Sequence, residues 1–127
     1  MNTQASLYDL LGGERNLLSL VDRFYFYMDI LPEATDIRGM HAESLVSDRE
    51  KLFKFLSGWL GGPNLYIEAY GHPRLRMRHF PFKIGPNEKD QWMICMKKAF
   101  AEIECDSNVK KHILSALDQL AEHMINS

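Results

Sequence analysis

The sequence predicts an all-α fold, and three observations carry the prediction. Apolar residues recur at three- and four-residue spacing through four long segments. Capping side chains, glycine or proline bound each segment. No stretch alternates polar and apolar residues as a half-buried strand does. At 127 residues the chain is expected to be one domain over 1–127, large enough for one substantial core.

Ser6 and Asp9 form a capping-box pattern for a short helix that stops at Gly12-Gly13. From Glu14, residues Leu17, Leu18, Val21, Phe24, Tyr25 and Met28 line one face of a helix that ends before Pro32. One or two short turns are expected in "PEATDIRGMHAE". Ser47 with Glu50 predicts a cap for a helix carrying Leu52, Phe53, Phe55, Leu56, Trp59 and Leu60, stopped by the "GGP" at 61–63. Asn87 and Asp90 suggest the next cap, for a helix with Trp92, Met93, Met96, Phe100 and Ile103. Ser107 opens the last, with Ile113, Leu117, Leu120, Ala121 and Met124 on one face.

Gly61 to Gly85 breaks this rhythm. Pro63, Pro73 and Pro81 lie inside it and Pro86 at its edge. A long, poorly helical stretch in a helical domain is usually functional or disordered. Tyr66, Tyr70, Phe80 and Phe82 argue for packing rather than disorder. Within it, "YGHPRLRMRHFPF" gathers two histidines, three arginines and three aromatics into thirteen residues.

Composition narrows the function. Hydrophobic residues make up 46% and charged residues 25%, as in ordinary globular proteins. Fifteen basic against seventeen acidic side chains leave a formal charge of −2, which argues against nucleic acid as the partner. "MNTQASLYDLLGG" lacks the pattern of a secretory leader, and no apolar run has bilayer length. Cys95 and Cys105 form no C-x-x-C, so two reduced thiols in a cytoplasmic protein are expected.

Pro73 suits the first turn of a short helix that Pro81 ends. On it Leu75 and His79 share a face, with Arg78 on the flank and Arg76 and Met77 elsewhere. Two fates are open to His79. It is a capping or core histidine satisfied locally, or a metal ligand whose other nitrogen is oriented by a carbonyl such as that of Leu75. Arg74 and Arg78 are either a solvated charge run or partners for carboxylates. Tyr66 and His72 add donors nearby. A flat apolar cofactor with a central metal and peripheral carboxylates accounts for all of these together, and haem fits that description. Tyr25 and Trp92 are then donors on a second wall, or simply core. His41 is a distal group or a solvated loop residue. There is no H-E-x-x-H and no G-x-S-x-G, which argues against a zinc protease or a serine hydrolase.

These residues resemble a known family. "VDRFY" at 21–25, "LGGPNLY" at 60–66, "GHPRLRMRH" at 71–79, "PF" at 81–82, Trp92 and "CM" at 95–96 lie in order over essentially the whole chain. They are similar to the group II truncated haemoglobins of bacteria and plants. The resemblance implies a truncated globin fold, a two-over-two helical sandwich with a long loop before a short proximal helix. It implies haem b (iron protoporphyrin IX) with His79 as the iron ligand. Tyr25, Trp92 and His41 would face the gas ligand. Arg78 and Tyr66 would meet the propionates, and Leu52, Phe53, Leu75, Phe82, Ile84 and Met96 would wall the cofactor. Some relatives carry a glutamine or other polar residue at the place of Leu52, so polar control here would rest on Tyr25, Trp92 and His41.

Two or three donors around the ligand would slow O₂ release, which suits retention or reaction better than delivery. The expected ligands are O₂, CO or NO, in O₂ binding or transport or in redox detoxification of NO or peroxide. Dioxygenase, reductase or peroxidase-type activity with an electron-donating reductase is consistent with this, as is a monomer or homodimer. His41 or Tyr25 could also ligate iron from within the chain. The alternative is a haem-free globin-like sensor or interaction module.

Overall fold

A computed structural model describes residues 5–127 of the chain. Residues 1–4, the start of the N-terminal stretch read as lacking a leader pattern, lie outside the described part. The first helix, α1 (Leu7–Leu11), begins at the expected capping box: Asp9 N–H donates to Ser6 Oγ at 3.1 Å, and Ser6 N–H donates to Asp9 Oδ2 at 3.4 Å. Gly12, at φ 122°, ends α1 and starts α2 (Gly13–Ile30). A Cβ there would collide with the Asn16 amide, which donates to the Leu11 and Glu104 carbonyls at 2.6 and 3.2 Å. Conformation and space both demand glycine. Leu17, Leu20, Val21, Phe24, Tyr25 and Met28 face inward from α2. Leu18, placed on that face by spacing, is exposed, because it lies one helical step from the centre of the stripe.

A 3-10 turn (Pro32–Ala34) and α3 (Thr35–Gly39) are the two short turns expected before the next long helix. That helix, α4 (Val46–Trp59), corrects one assignment: its cap is Leu45, and Ser47 already lies inside the first turn. Glu50 pairs instead with Lys54 at 2.9 Å, one turn onward. After α4, Tyr8 N–H donates to the Leu60 carbonyl at 2.9 Å, and the Tyr8 ring covers Gly62 so closely that a Cβ has no room. Buried Ser57 donates through Oγ to the Pro63 carbonyl at 2.8 Å. The "GGP" is thus a fitted junction between α1 and α4 as well as a helix stop.

The irregular middle contains α5 (Leu65–Tyr70) and α6 (Leu75–His79). The first was not expected; six residues are too few for periodicity to declare. The second begins two residues beyond Pro73. For α7 (Pro86–Ala101), Gly85 is the cap and its N–H donates to Glu88 Oε1 at 2.6 Å, in place of Asn87 and Asp90. For α8 (Ser107–His123), the cap is Asp106, whose Oδ1 accepts from Asn108 and Val109 N–H at 2.8 and 3.3 Å. Ser107 is its first helical residue.

The long helices form two pairs, α2 with α4 and α7 with α8, joined most extensively where α2 meets α7. This is the two-over-two sandwich, built without strands among the described residues. Its core contains Leu17, Phe24, Leu56, Met96, Phe100 and Leu117, all essentially inaccessible to water. α5 packs on α4, whereas α6 takes no substantial part in the helix contacts and buries none of its residues. Among the described residues, no helix is long and apolar enough to cross a membrane.

Candidate functional site

The arm from Leu65 to Gly85 is shaped by a few local decisions. Tyr66 buries its ring against α4, edge-on to Phe55 at 6.4 Å, and touches Tyr70 at 4.9 Å. Gly71 turns the chain at φ 80°. Arg74 then adopts a left-handed φ of 47° as the cap of α6, a conformation that costs a non-glycine residue about 1–2 kcal/mol. Three bonds hold it. Arg74 N–H donates to His72 Nδ1 at 3.1 Å, Arg78 N–H donates to the Arg74 carbonyl at 3.0 Å, and Arg78 Nε donates to the Pro73 carbonyl at 2.9 Å. His72 is therefore a loop-fixing residue.

His79 ends α6 half-buried, and its Nδ1 lies 2.6 Å from the Leu75 carbonyl one turn earlier. A carbonyl only accepts, so Nδ1 carries the hydrogen and donates. The neutral ring then keeps the Nε2 lone pair for a metal, the orientation in which metal-binding imidazoles are usually held. Among the described residues, no group of three His, Cys, Asp or Glu side chains could hold a metal ion. A lone imidazole suits a metal that brings its other ligands with it, as haem iron does. Around His79 the arm presents Met77, Phe80 and Phe82 at 52%, 58% and 41% exposure, an apolar set suited to a flat apolar group. The residues present fit haem.

The second cluster gathers around Phe24. Its ring meets Tyr25 edge-on at 4.9 Å and Trp92 at 5.1 Å, and Tyr25 meets His41 at 6.1 Å. Buried Phe24 thus joins Tyr25 to Trp92, and Tyr25 in turn meets His41. Tyr25 is 5% exposed, and its hydroxyl makes one long bond, donating to the Asp48 carbonyl at 3.3 Å. Burial raises the phenol's pKa well above its ordinary value, with Asp48 adding and Arg49 opposing, so the group stays a neutral O–H donor. His41 Nδ1 donates to the Ile37 carbonyl at 2.7 Å, which leaves its Nε2 as an acceptor in the neutral ring.

Leu52 and Phe53 pack half-buried against the core from α4. Ile84 is half-buried near the end of the arm, while Met96 lies wholly inside the bundle. Arg78 spends Nε on the Pro73 carbonyl, so only its terminal nitrogens are left for a carboxylate. Spacing did not single out three contributors. Phe24 was noted only as part of an apolar stripe, and its role as the shared ring needs the α2–α7 crossing. Arg49 has a buried Nε without a hydrogen-bond partner, 4.0 Å from Asp22. Asn126, far along the sequence, bonds to the His79 carbonyl at 3.2 Å.

A two-over-two sandwich that carries an oriented imidazole on an apolar arm and a Tyr–Phe–Trp cluster around buried Phe24 has the features of a haem-binding globin. Comparison with known proteins carries this further. The sequence pattern described as "Bacterial-like globin" matches residues 6–126. The truncated haemoglobin from the Antarctic marine bacterium Pseudoalteromonas haloplanktis is 41% identical, with a TM-score of 0.93 over 97% of this chain and 99% of that one. The group II two-on-two haemoglobin of Agrobacterium tumefaciens is 39% identical, with a TM-score of 0.94 over 98% and 97%. Group 2 truncated hemoglobin YjbI of Bacillus subtilis is 36% identical over 90% of this chain and 84% of its own. The chain belongs to the bacterial-like globins, among the group II truncated haemoglobins. As such it is a haem protein that binds small gaseous ligands such as O₂.

Proposed function

We propose that the chain is a cytoplasmic, one-domain (1–127) O₂-retaining haem protein in which His79 holds the iron of haem b. The observation that carries this is the 2.6 Å bond from His79 Nδ1–H to the Leu75 carbonyl, which reserves Nε2 for a metal. Haem, once held, supplies an iron that binds a diatomic gas and places partial negative charge on it. The chain's own residues do the rest. Tyr25 is a neutral donor by burial, and Trp92 brings an indole N–H to the same cluster through Phe24. Donors in a site shielded from water favour a polarised ligand more than they would in solution. His41, with Nε2 as acceptor, is suited to take a hydrogen bond or hold a water.

Arg78 and Tyr66 are assigned to the propionates, and Leu52, Phe53, Leu75, Phe82, Ile84 and Met96 to the walls. Slow O₂ release suits redox use, against NO or peroxide, in which an electron-donating reductase would restore the ferrous state; the chain would act as a monomer or homodimer. The test is spectroscopic. The purified or haemin-reconstituted protein should give a Soret band and a ferrous O₂ complex, and His79→Ala should lose the histidine-ligated spectrum. A wild-type chain that stays colourless with haemin would overturn the reading in favour of a haem-free sensor.

A further inference from the structure

α6 carries the proposed iron ligand yet has no buried residue of its own. Polar bonds from the end of α8 and the segment after it hold this part of the arm. Asn126 Nδ2 donates to the His79 carbonyl at 3.2 Å and to the Phe82 carbonyl at 2.9 Å. Its Oδ1 accepts from Ile84 N–H at 2.9 Å. The backbone N–H groups of Asn126 and Ser127 both donate to the Ile84 carbonyl, at 2.8 and 3.1 Å. Arg76 Nε adds a bond to the His123 carbonyl at 3.2 Å. One amide side chain thus uses both its donor and its acceptor ends on three backbone groups within residues 79–84.

We infer that Asn126 is a positioning residue for His79, fixing where α6 holds the imidazole relative to the bundle. Two bonds act in series. The Leu75 carbonyl fixes the ring relative to α6, and Asn126 fixes the end of α6 relative to α8. Without the second, ring and helix shift as one body, and the histidine–iron bond loses its set direction. The inference rests on His79 being the iron ligand. No side chain other than asparagine or glutamine offers an amide's donor and acceptor ends together, and asparagine is the shorter.

The test uses the full haem-loaded protein with Asn126→Asp and Asn126→Ala. Aspartate keeps an acceptor for Ile84 N–H but cannot donate to either carbonyl when ionised. Leu117→Ala, far from the arm in sequence and buried in the core, serves as a control for general destabilisation. Resonance Raman of the ferrous, ligand-free state should show the iron–histidine stretch shifted or broadened in both Asn126 variants and unchanged in Leu117→Ala. Haem transfer to excess apomyoglobin should accelerate roughly tenfold, as expected for losing one or two net hydrogen bonds. Hydrogen exchange at residues 79–84 should quicken while α2 keeps its protection. Wild-type stretch and transfer rates in both variants would overturn the role, and so would a lowered melting temperature with an unchanged stretch. A wild-type protein without any iron–histidine stretch would instead bring down the His79 assignment itself.

Discussion

The helical bundle and the arm at 65–85 are specified by different physics. In the bundle, Leu17, Phe24 and Leu117 belong to one buried core, although Leu18, Phe26 and Ile30 on the outer side of α2 stay exposed. In the arm, Ile67, Met77, Phe80 and Phe82 are exposed, and geometry comes from backbone turns, one left-handed arginine and hydrogen bonds to His72, Pro73 and Asn126. The bundle is therefore a platform that the chain closes by itself. On the proposed reading the arm is held in place for haem, and its apolar side chains would gain their burial from that group. Substitutions should separate the two regions sharply.

The largest effect should come from Phe24→Ala, which opens the core and removes the ring shared by Tyr25 and Trp92. A loss of about 3–5 kcal/mol is expected in denaturant melts, with a disturbed distal spectrum. A loss below 1 kcal/mol would break the claim that the bundle depends on this ring. Next, Tyr25→Phe should speed O₂ dissociation by about ten- to hundredfold in stopped-flow mixing, the worth of one well-placed donor.

Alkaline pH probes the same residue through stability. The folded-state pKa of Tyr25 is raised, so its protonated form is favoured by folding. The stability it supports is intact below the unfolded value near 10 and falls as pH rises beyond it, by up to about 1.4 kcal/mol per pH unit. Cys95, buried and pushed up to about 11, adds a similar slope from near 9 to that value. Stability from urea melts should therefore fall increasingly steeply between pH 9 and 11.5, and Tyr25→Phe should flatten the upper part of that curve. Equal slopes in the two proteins would contradict the assigned burial of the phenol. The smallest effect belongs to the arm: Phe80→Ser should change haem-free stability by less than about 0.5 kcal/mol, because its ring is exposed. A larger cost would mean that the arm, too, is packed by the chain alone.

The bundle was legible because burial imposes a period. Leu17, Val21, Phe24 and Met28 announce α2, and the same rule finds the inner faces of α4, α7 and α8. Caps were less legible. Ser47 and Asn87 each lie two residues beyond the true cap, because Leu45 and Gly85 cap through the backbone and carry no capping side chain for the sequence to show. The bond from His79 to Leu75 could be expected because both lie on one short helix, one turn apart. The grouping of Tyr25, His41 and Trp92 needed the family resemblance, for it depends on how α2, α3 and α7 cross. Asn126 carried no signal at all. A lone asparagine near 127 has no periodicity, and its partners at 79–84 are backbone groups common to any sequence.

The division between platform and arm can be read amide by amide. Hydrogen exchange of the full chain should be compared with haem removed and with haem restored, in wild type and His79→Ala. In wild type, haem should add protection mainly at residues 65–85 and leave the slowest amides of α2 and α7 nearly unchanged; in His79→Ala the gain in the arm should be lost. Protection that rises evenly over all helices, or a gain in the arm that survives His79→Ala, would contradict a site completed by haem on His79.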